Sequence, residues 1–379
     1  MLLLFKGKRE LTIFGAETRN KFAIVMKTKN VFRFPVLAIL SVLFSLSHIN
    51  GQAVLPESKH YKLEKLADGV YAAIHNNQGG YAICNAGIVD LGDKTIIIDP
   101  FISPAAARDL KQHAEYLTGK KISLVLNLDP HSDHTRGNQV FVPGADIIST
   151  PNARKYIENH FEKELEENKR SASEELIEIQ KQLLKATGTE KIELTLFEDQ
   201  CKAIIESLPE LKMTLPDITL SDTLVIYGSK RKIVLIPTGT GHTNGDMVAY
   251  LPDDNIIFMS DQLFVKCHPY FGDGDPESWK MNLKNIITLN PKIAVPGHGP
   301  VGDINSLNMM LDYIETLNYL VKAEIESGGD ENKVMNIPLP DKFSDYLISS
   351  FYKINLRFLY RKLTLVNNPL PLPSGDGLD

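Results

Sequence analysis

Between positions 129 and 134 the chain reads Asp-Pro-His-Ser-Asp-His, two imidazoles and two carboxylates within six residues. The stretch follows the apolar run Ile122-Ser123-Leu124-Val125-Leu126 directly. A short run rich in branched side chains reads as a buried strand. Asp129, His131, Asp133 and His134 then sit on the loop leaving a strand end, where a rigid sheet aims them. Imidazole nitrogens and carboxylate oxygens are the donors that zinc accepts. A fold that uses them must bring further donors to the same strand end.

Three later segments have that form. Thr238-Gly239-Thr240-Gly241-His242-Thr243-Asn244-Gly245-Asp246 follows the apolar run at 233–236, and its glycines let backbone approach closely. Ser260-Asp261 follows the run at 256–259, and Pro296-Gly297-His298-Gly299-Pro300 follows Ile293-Ala294-Val295. Any one of these is an ordinary loop residue after a strand. Together with the first motif they repeat one pattern, apolar strand then donor, and they hold four of the ten histidines. Neither a Ser-His-Asp arrangement nor a phosphate-cradling loop competes, because Gly239 and Gly241 lack the accompanying lysine.

The remaining chain supplies a scaffold of mixed type. Alternating runs at 70–74, 81–83, 86–91 and 94–99 predict a meander of strands, with Gly92-Asp93 as a tight turn. Helical spacing of Ala106, Leu110, His113 and Leu117 predicts a returning helix at 104–117. Residues 151–186 are dense in Glu and Lys, with apolar residues at helical intervals, and predict two helices. A third, shorter one is expected around 199–208. This region, about 151–215, reads as a solvated helical insertion, with a lid over the site as the alternative. Strands resume at 224–227, 233–236, 247–251 and 256–259, and helices are expected at 276–288, 304–327 and 342–363. The strand–helix alternation places the chain in the α/β or α+β region.

Composition narrows the partners. A net charge of −6 over 379 residues, without a basic block, argues against nucleic acid and leaves a small molecule as the expected partner. The length allows one large domain with additions or two modest ones. Cys84, Cys201 and Cys267 are widely spaced and odd in number, so a fully paired disulfide framework is excluded. Near the N-terminus, Lys27, Lys29 and Arg33 precede the apolar run at 35–44, and Gly51 and Ala53 follow it. That is the layout of a signal peptide over 26–53, which implies a periplasmic or secreted protein without a stable membrane span after cleavage. Residues 1–25 read as an upstream mis-start or disordered segment, with Met26 as the working start. Oligomeric state has no signature here.

In order and spacing, Asp99 after its strand, the loop at 129–134, the segment carrying His242, Asp261 and Pro-Gly-His298-Gly resemble the metallo-β-lactamase-fold metallohydrolase superfamily. The stretch from Ser260 through Tyr270 to Trp279 is similar to one hydrolase-like branch of it. The resemblance implies an α+β, αββα four-layer sandwich over 54–325, with the helical insertion and a C-terminal helical extension and tail at 326–379. It implies one zinc held by the motif histidines with His242, and a second held by Asp133, His134 and His298. Asp261 would bridge them, and Asp99 would orient a ligand from behind. The expected activity is hydrolysis of a small ester, lactone, lactam or thioester by metal-bound hydroxide, with Asp133 and His134 as catalytic residues.

One departure matters, because the family's loop begins with His and here Asp129 stands in that place. A carboxylate also binds zinc, giving two ions with a more anionic first position. Alternatively Asp129 turns away and only the second site is filled, or manganese or iron is the occupant. A metal- or ligand-binding protein without catalysis is the competing function. Arg136, His268, Tyr270 and Trp279 are the candidate pocket residues.

Overall fold

The structure is a computed structural model and describes residues 55–77 and 79–367. The expected signal peptide and the segment before it lie outside the described residues. Among the described residues no helix is long and apolar enough to cross a membrane.

The chain forms two mixed sheets packed face to face. The first contains β1 (Tyr61–Ala67), β2 (Val70–His75), β3 (Ala86–Asp90), β4 (Thr95–Ile98), β5 (Ile122–Leu126), β6 (Asp146–Ser149) and β7 (Ile218–Thr219), in sequence order. Its first four strands are an antiparallel meander, and β4 to β7 run parallel. The second has the order β12 (Ile293–His298), β11 (Ile256–Phe264), β10 (Asp246–Leu251), β9 (Lys232–Gly239), β8 (Leu224–Tyr227). Only its β11–β12 pair is parallel.

Strand periodicity explains the layering. Successive side chains on a strand face opposite ways. Val70 and Ala72 of β2 and Ile96 and Ile98 of β4 therefore enter the core between the sheets, against Leu235, Met247, Ala249 and Phe258. Tyr71, Ala73 and Ile97, one residue out of phase, pack instead with Ala106, Leu110 and Ala114 of helix α1 (Pro104–Thr118). On the far face of the second sheet, α5 (Pro276–Ile287), α6 (Ile304–Glu326), α7 (Glu331–Met335) and α8 (Ser350–Asn367) surround Trp279, Leu283, Tyr313, Val334 and Leu356. The result is an αββα sandwich. Each fully buried aliphatic side chain contributes about 1.5–3 kcal/mol, so a one-residue register slip in a central strand would forfeit two cores at once.

Several expectations need correction. Tyr81-Ala82-Ile83 is loop rather than strand, with Ile83 in the left-handed region at φ 71°. The acidic stretch from 151 is one helix, α3 (Pro151–Leu183), because no glycine or proline interrupts it after its first residue. Its partner α4 (Gly188–Ser207) is longer than the short helix expected there. The C-terminal helix begins at Ser350, and Phe343 belongs to a separate turn of 3-10 helix, Asp341–Phe343.

The parallel pairing matters for the site, because it brings the carboxyl ends of β4 and β5 to one edge, as it does those of β11 and β12. The loop leaving β5 continues into the short helix α2 (Ser132–Thr135) and a 3-10 turn, Arg136–Val140. Gly137 seats that turn against the loop after β4: its N–H donates to Phe101 O at 2.9 Å. A Cβ there would lie 1.8 Å from Pro100 O and 2.8 Å from Ala107 Cβ. Backbone cannot yield as a flexible side chain does, so Gly137→Ala is expected to cost about 1–3 kcal/mol of stability, measured by urea unfolding. A neutral result would show that the loop is not pinned at this point.

Candidate metal centre

The donors of all four segments converge at this sheet edge. His131 Nδ1 lies 3.1 Å from Asp129 Oδ1 and 3.1 Å from His242 Nε2. His242 Nε2 is 3.3 Å from Asp261 Oδ2 and 4.0 Å from Asp129 Oδ2. On the other side of Asp261, its Oδ1 lies 3.2 Å from His134 Nε2 and 3.4 Å from His298 Nε2. Asp133 Oδ2 completes that group at 3.5 Å from His134 Nε2 and 3.3 Å from His298 Nε2. Two donor clusters thus share Asp261, one oxygen each. Asp129, His131 and His242 form the first cluster; Asp133, His134 and His298 are grouped in the second.

The imidazoles are fixed from behind. His134 Nδ1–H donates to Asp99 Oδ2 at 3.2 Å, His242 Nδ1–H to Tyr270 O at 2.9 Å, and His131 Nε2–H to Asp273 Oδ2 at 3.0 Å. Each of these bonds leaves the opposite nitrogen facing the cluster. Asp99 is itself held: its Oδ1 accepts from Leu128 N–H at 2.8 Å and its Oδ2 from Ser260 Oγ at 2.6 Å. Asp99 and Ser260 both adopt positive φ, 50° and 47°. Ser260 lies where the β11–β12 register shifts, and such an irregularity re-aims the neighbouring side chain. Left-handed non-glycine backbone persists where the surroundings over-determine it. Gly297 shows how tight the edge is, since a Cβ there would lie 1.9 Å from Asp261 Oδ1.

Residues 79–298 match the family model described as the metallo-beta-lactamase superfamily. The chain belongs to that superfamily. Among solved structures it is similar to "Metallo-beta-lactamase from Pontibacter korlensis", at 15% identity over 67% of this chain and 99% of that one, with a TM-score of 0.49. VMB-1 is similar at 18% identity, covering 69% of this chain and 99% of its own, with a TM-score of 0.48. TMB-1 matches at 15% identity over 68% and 99%, with a TM-score of 0.49. The metallo-beta-lactamase fold typically binds metal ions, and the clusters described above are donor sets able to hold them.

Buried charge tests that fit without reference to relatives. Asp129 Oδ2, Asp261 Oδ1 and His134 Nε2 are buried and make no well-directed hydrogen bond, although the last two face each other at 3.2 Å. Such orphaned atoms cost free energy unless something charged meets them. Burial alone would lower the pKa of His298, but Asp261 and Asp133 outweigh it and push it up to about 10. His131 and His134 are driven well above the usual imidazole value in the same way, burial being overcome for His131 chiefly by Asp129. Without ions, protons take the cations' place on these rings.

Other predicted pocket residues fall elsewhere. Arg136 does not face the cavity: it is buried against α3 and pairs with Glu164 at 3.2 Å, because the 3-10 turn points it toward the insertion. His268 is fully buried, hydrogen-bonded through Nδ1 to Tyr313 Oη at 2.8 Å. Trp279 is also fully buried, its Nε1–H donating to Gln262 O at 3.0 Å, with its ring 5.3 Å from that of His242. It is a wall behind a donor rather than a pocket surface. Tyr270 does line the cavity.

Sequence reasoning passed over several supporting groups. Asp273, which anchors His131, sits 142 positions away. Asp246 accepts from Thr243 N–H at 3.0 Å and from Gln262, and so shapes the turn that carries His242. Its place at the end of a Gly-His-Thr-Asn-Gly-Asp run was the available signal. Cys84 donates its thiol to Asp133 O at 3.0 Å, and burial pushes that thiol up to about 12. The cysteine is therefore a neutral brace for the loop.

The Arg136 pairing can be tested separately from the clusters. Glu164→Ala should cost about 1–3 kcal/mol in chemical denaturation, below the full penalty of an orphaned buried charge because Glu164 is partly solvent-screened. Metal content should not change. Loss of metal without loss of stability would instead tie Arg136 to the centre.

Proposed function

We propose that the chain is an exported metal-dependent hydrolase that cleaves a small ester, lactone, lactam or thioester. The observation that carries this reading is the pair of donor clusters sharing Asp261, with imidazoles held by Asp99, Tyr270 O and Asp273. Asp129, His131, His242 and Asp261 would hold one ion; Asp133, His134, His298 and Asp261 would hold the other. Nitrogen and oxygen donors suit zinc, and the oxygen-rich first cluster also suits manganese or iron. Bound there, such ions supply Lewis acidity and bring the pKa of a coordinated water from about 15.7 toward 7.

The protein's own contribution is positional. Asp99 and Asp273 keep His134 and His131 in single orientations, so little reorganisation is needed when the centre fills. Asp133 lines the cavity, where its carboxylate would orient water toward a substrate carbonyl. The net reaction adds water across the acyl bond: its oxygen goes to the acyl carbon and a proton to the leaving group. Asp129 and His131 share the first cluster, so the negative charge there is higher than an all-imidazole set would give. The signal-peptide pattern at 26–53 supports export to the periplasm or medium; a mature N-terminus other than one near position 54 on the recovered protein would count against it.

Metal analysis joined to turnover decides the main reading. Dialysis against a strong chelator should abolish hydrolysis, and zinc should restore it. Asp133→Ala and His134→Ala should each lower kcat by at least about 100-fold with an unchanged circular dichroism spectrum. Metal bound with no turnover on any ester, lactone, thioester or β-lactam would favour the binding-protein alternative. Asp129→Ala should weaken one of two bound ions by about 10- to 100-fold and leave the other, as followed by competitive titration. If both ions, or neither, respond, the division into clusters is wrong.

The pH dependence has a definite sign. His298 carries a raised pKa of about 10 in the ion-free protein, so that ring is charged at neutral pH and neutral only above about 10. Metal loading at neutral pH must therefore expel protons, and apparent affinity should fall as pH is lowered. Calorimetric titration in buffers of different ionisation enthalpy should show net proton release. Proton uptake would contradict the ligand assignment.

A further inference from the structure

The centre opens into a cavity of about 670 Å³, within the range that encloses a drug-sized ligand. Its floor is charged, formed by His131, Asp133, His242, Asp261 and His298. Its other walls are of opposite character. Ile74 and Ile83 come from the first sheet and the loop after it, Leu196 and Phe197 from α4, and Leu347 and Phe351 from the C-terminal segment. All six are half-buried, leaving apolar surface turned to the cavity.

This roof is tied together. Ser349 N–H and Oγ bind Glu193 of α4 at 2.9 and 3.2 Å. Leu347 exchanges backbone bonds with both neighbours of Cys267: Leu347 N–H donates to Lys266 O at 3.0 Å, and His268 N–H to Leu347 O at 2.9 Å. The Phe351 ring lies 5.4 Å from that of Tyr270. Further along α4, Asp199 accepts from Gly79 N–H at 2.9 Å. The insertion and the C-terminal segment therefore close over the centre as one largely apolar shell, with Gln200 and Asp345 among its polar members.

Charge narrows the occupant. Among the described lining residues, Lys266 is the only one with an ammonium or guanidinium group. Its Nζ is 2.6 Å from Asp345 Oδ2 and 5.5 Å from the centre of the Tyr346 ring. A phosphate-bearing or nucleotide-like tail would meet no unpaired cation on these walls.

We propose that the substrate carries an uncharged aliphatic arm of medium length, lodged between α4 and the C-terminal segment while its carbonyl lies at the charged floor. This rests on the hydrolase reading for the bond that is cleaved, but the arm's compartment is defined by the walls alone.

The test uses the full zinc-loaded chain and two ester series, one lengthening the acyl side and one the alkyl side, from two to ten carbons. Burial of each methylene is worth up to about fourfold in kcat/KM. An increase of about 100-fold along at least one series supports the compartment. Leu196→Glu and Phe351→Asp, checked for folding by thermal melting, should each reduce the long-to-short ratio at least about tenfold. Leu196→Trp, which fills the space without charge, should shorten the preferred arm. A flat or falling series in an active protein overturns the proposal. Calorimetry with 1-octanol and 1-butanol gives a readout independent of catalysis. If no ester is cleaved, octanol binding that Leu196→Glu abolishes still supports the compartment, and the hydrolase reading is then decided separately on lactones, thioesters and β-lactams. Octanol no tighter than butanol overturns the compartment whether or not esters are cleaved.

Discussion

Three carboxylates, Asp129, Asp133 and Asp261, meet four imidazoles at a largely buried sheet edge, and the rest of the structure follows from the need to hold them there. Like charges this close repel unless cations intervene, and burial raises the stakes by lowering the local dielectric. The protein answers by fixing three of the four rings through their far nitrogens. The remaining one, His298, is stacked on Phe264 with ring centres 5.2 Å apart. Such anchoring costs conformational freedom during folding rather than when ligand arrives.

A sheet edge can impose this geometry because its strands are packed on both faces. The inter-sheet core fixes the rise and twist of β4 and β5, while α1 fixes the other face of the same strands. The positive backbone angles at Ile83, Ser260, Lys266 and Ile348 fall at or next to residues that line the cavity. Strain of that kind is stable only against a rigid background. Asn85 illustrates the bracing: its Nδ2 binds Pro296 O at 3.0 Å and Gly299 O at 2.8 Å, and its Oδ1 accepts from His75 N–H at 3.0 Å. One side chain thus links β2 to the turn bearing His298.

The donor residues were legible because strand–donor repetition is local in sequence, each apolar run being followed at once by its ligand type. The strands were legible for a similar reason, since the near-continuous apolar runs of β2 and β4 mark strands buried on both faces. What escaped was set by tertiary contact. Arg136 adjoins the donor loop, yet the turn of the 3-10 helix carries it to Glu164. His268 follows β11 closely but is captured by Tyr313 from α6. Asp273 resembles any loop acid until His131 is placed beside it. The split of the acidic stretch into two helices failed because its polar middle, around 166–173, is no helix breaker; Ala172 there is buried.

The cavity joins two parts with different demands. Its floor comes from strand ends that must keep sub-ångström order, all within the segment matching the family model. Its roof comes partly from α4, inside that segment, and partly from Leu347 and Phe351, beyond it. Among the described residues, Tyr270 is the roof residue that hydrogen-bonds a donor: its backbone carbonyl holds His242 while its ring meets Phe351. Changes in wall shape can therefore alter which molecules enter without disturbing how the charged groups are held. Tyr270 is the exception that couples the two. Its main chain belongs to the floor and its side chain to the roof, so a shift of the C-terminal segment would be felt first at the His242 ring.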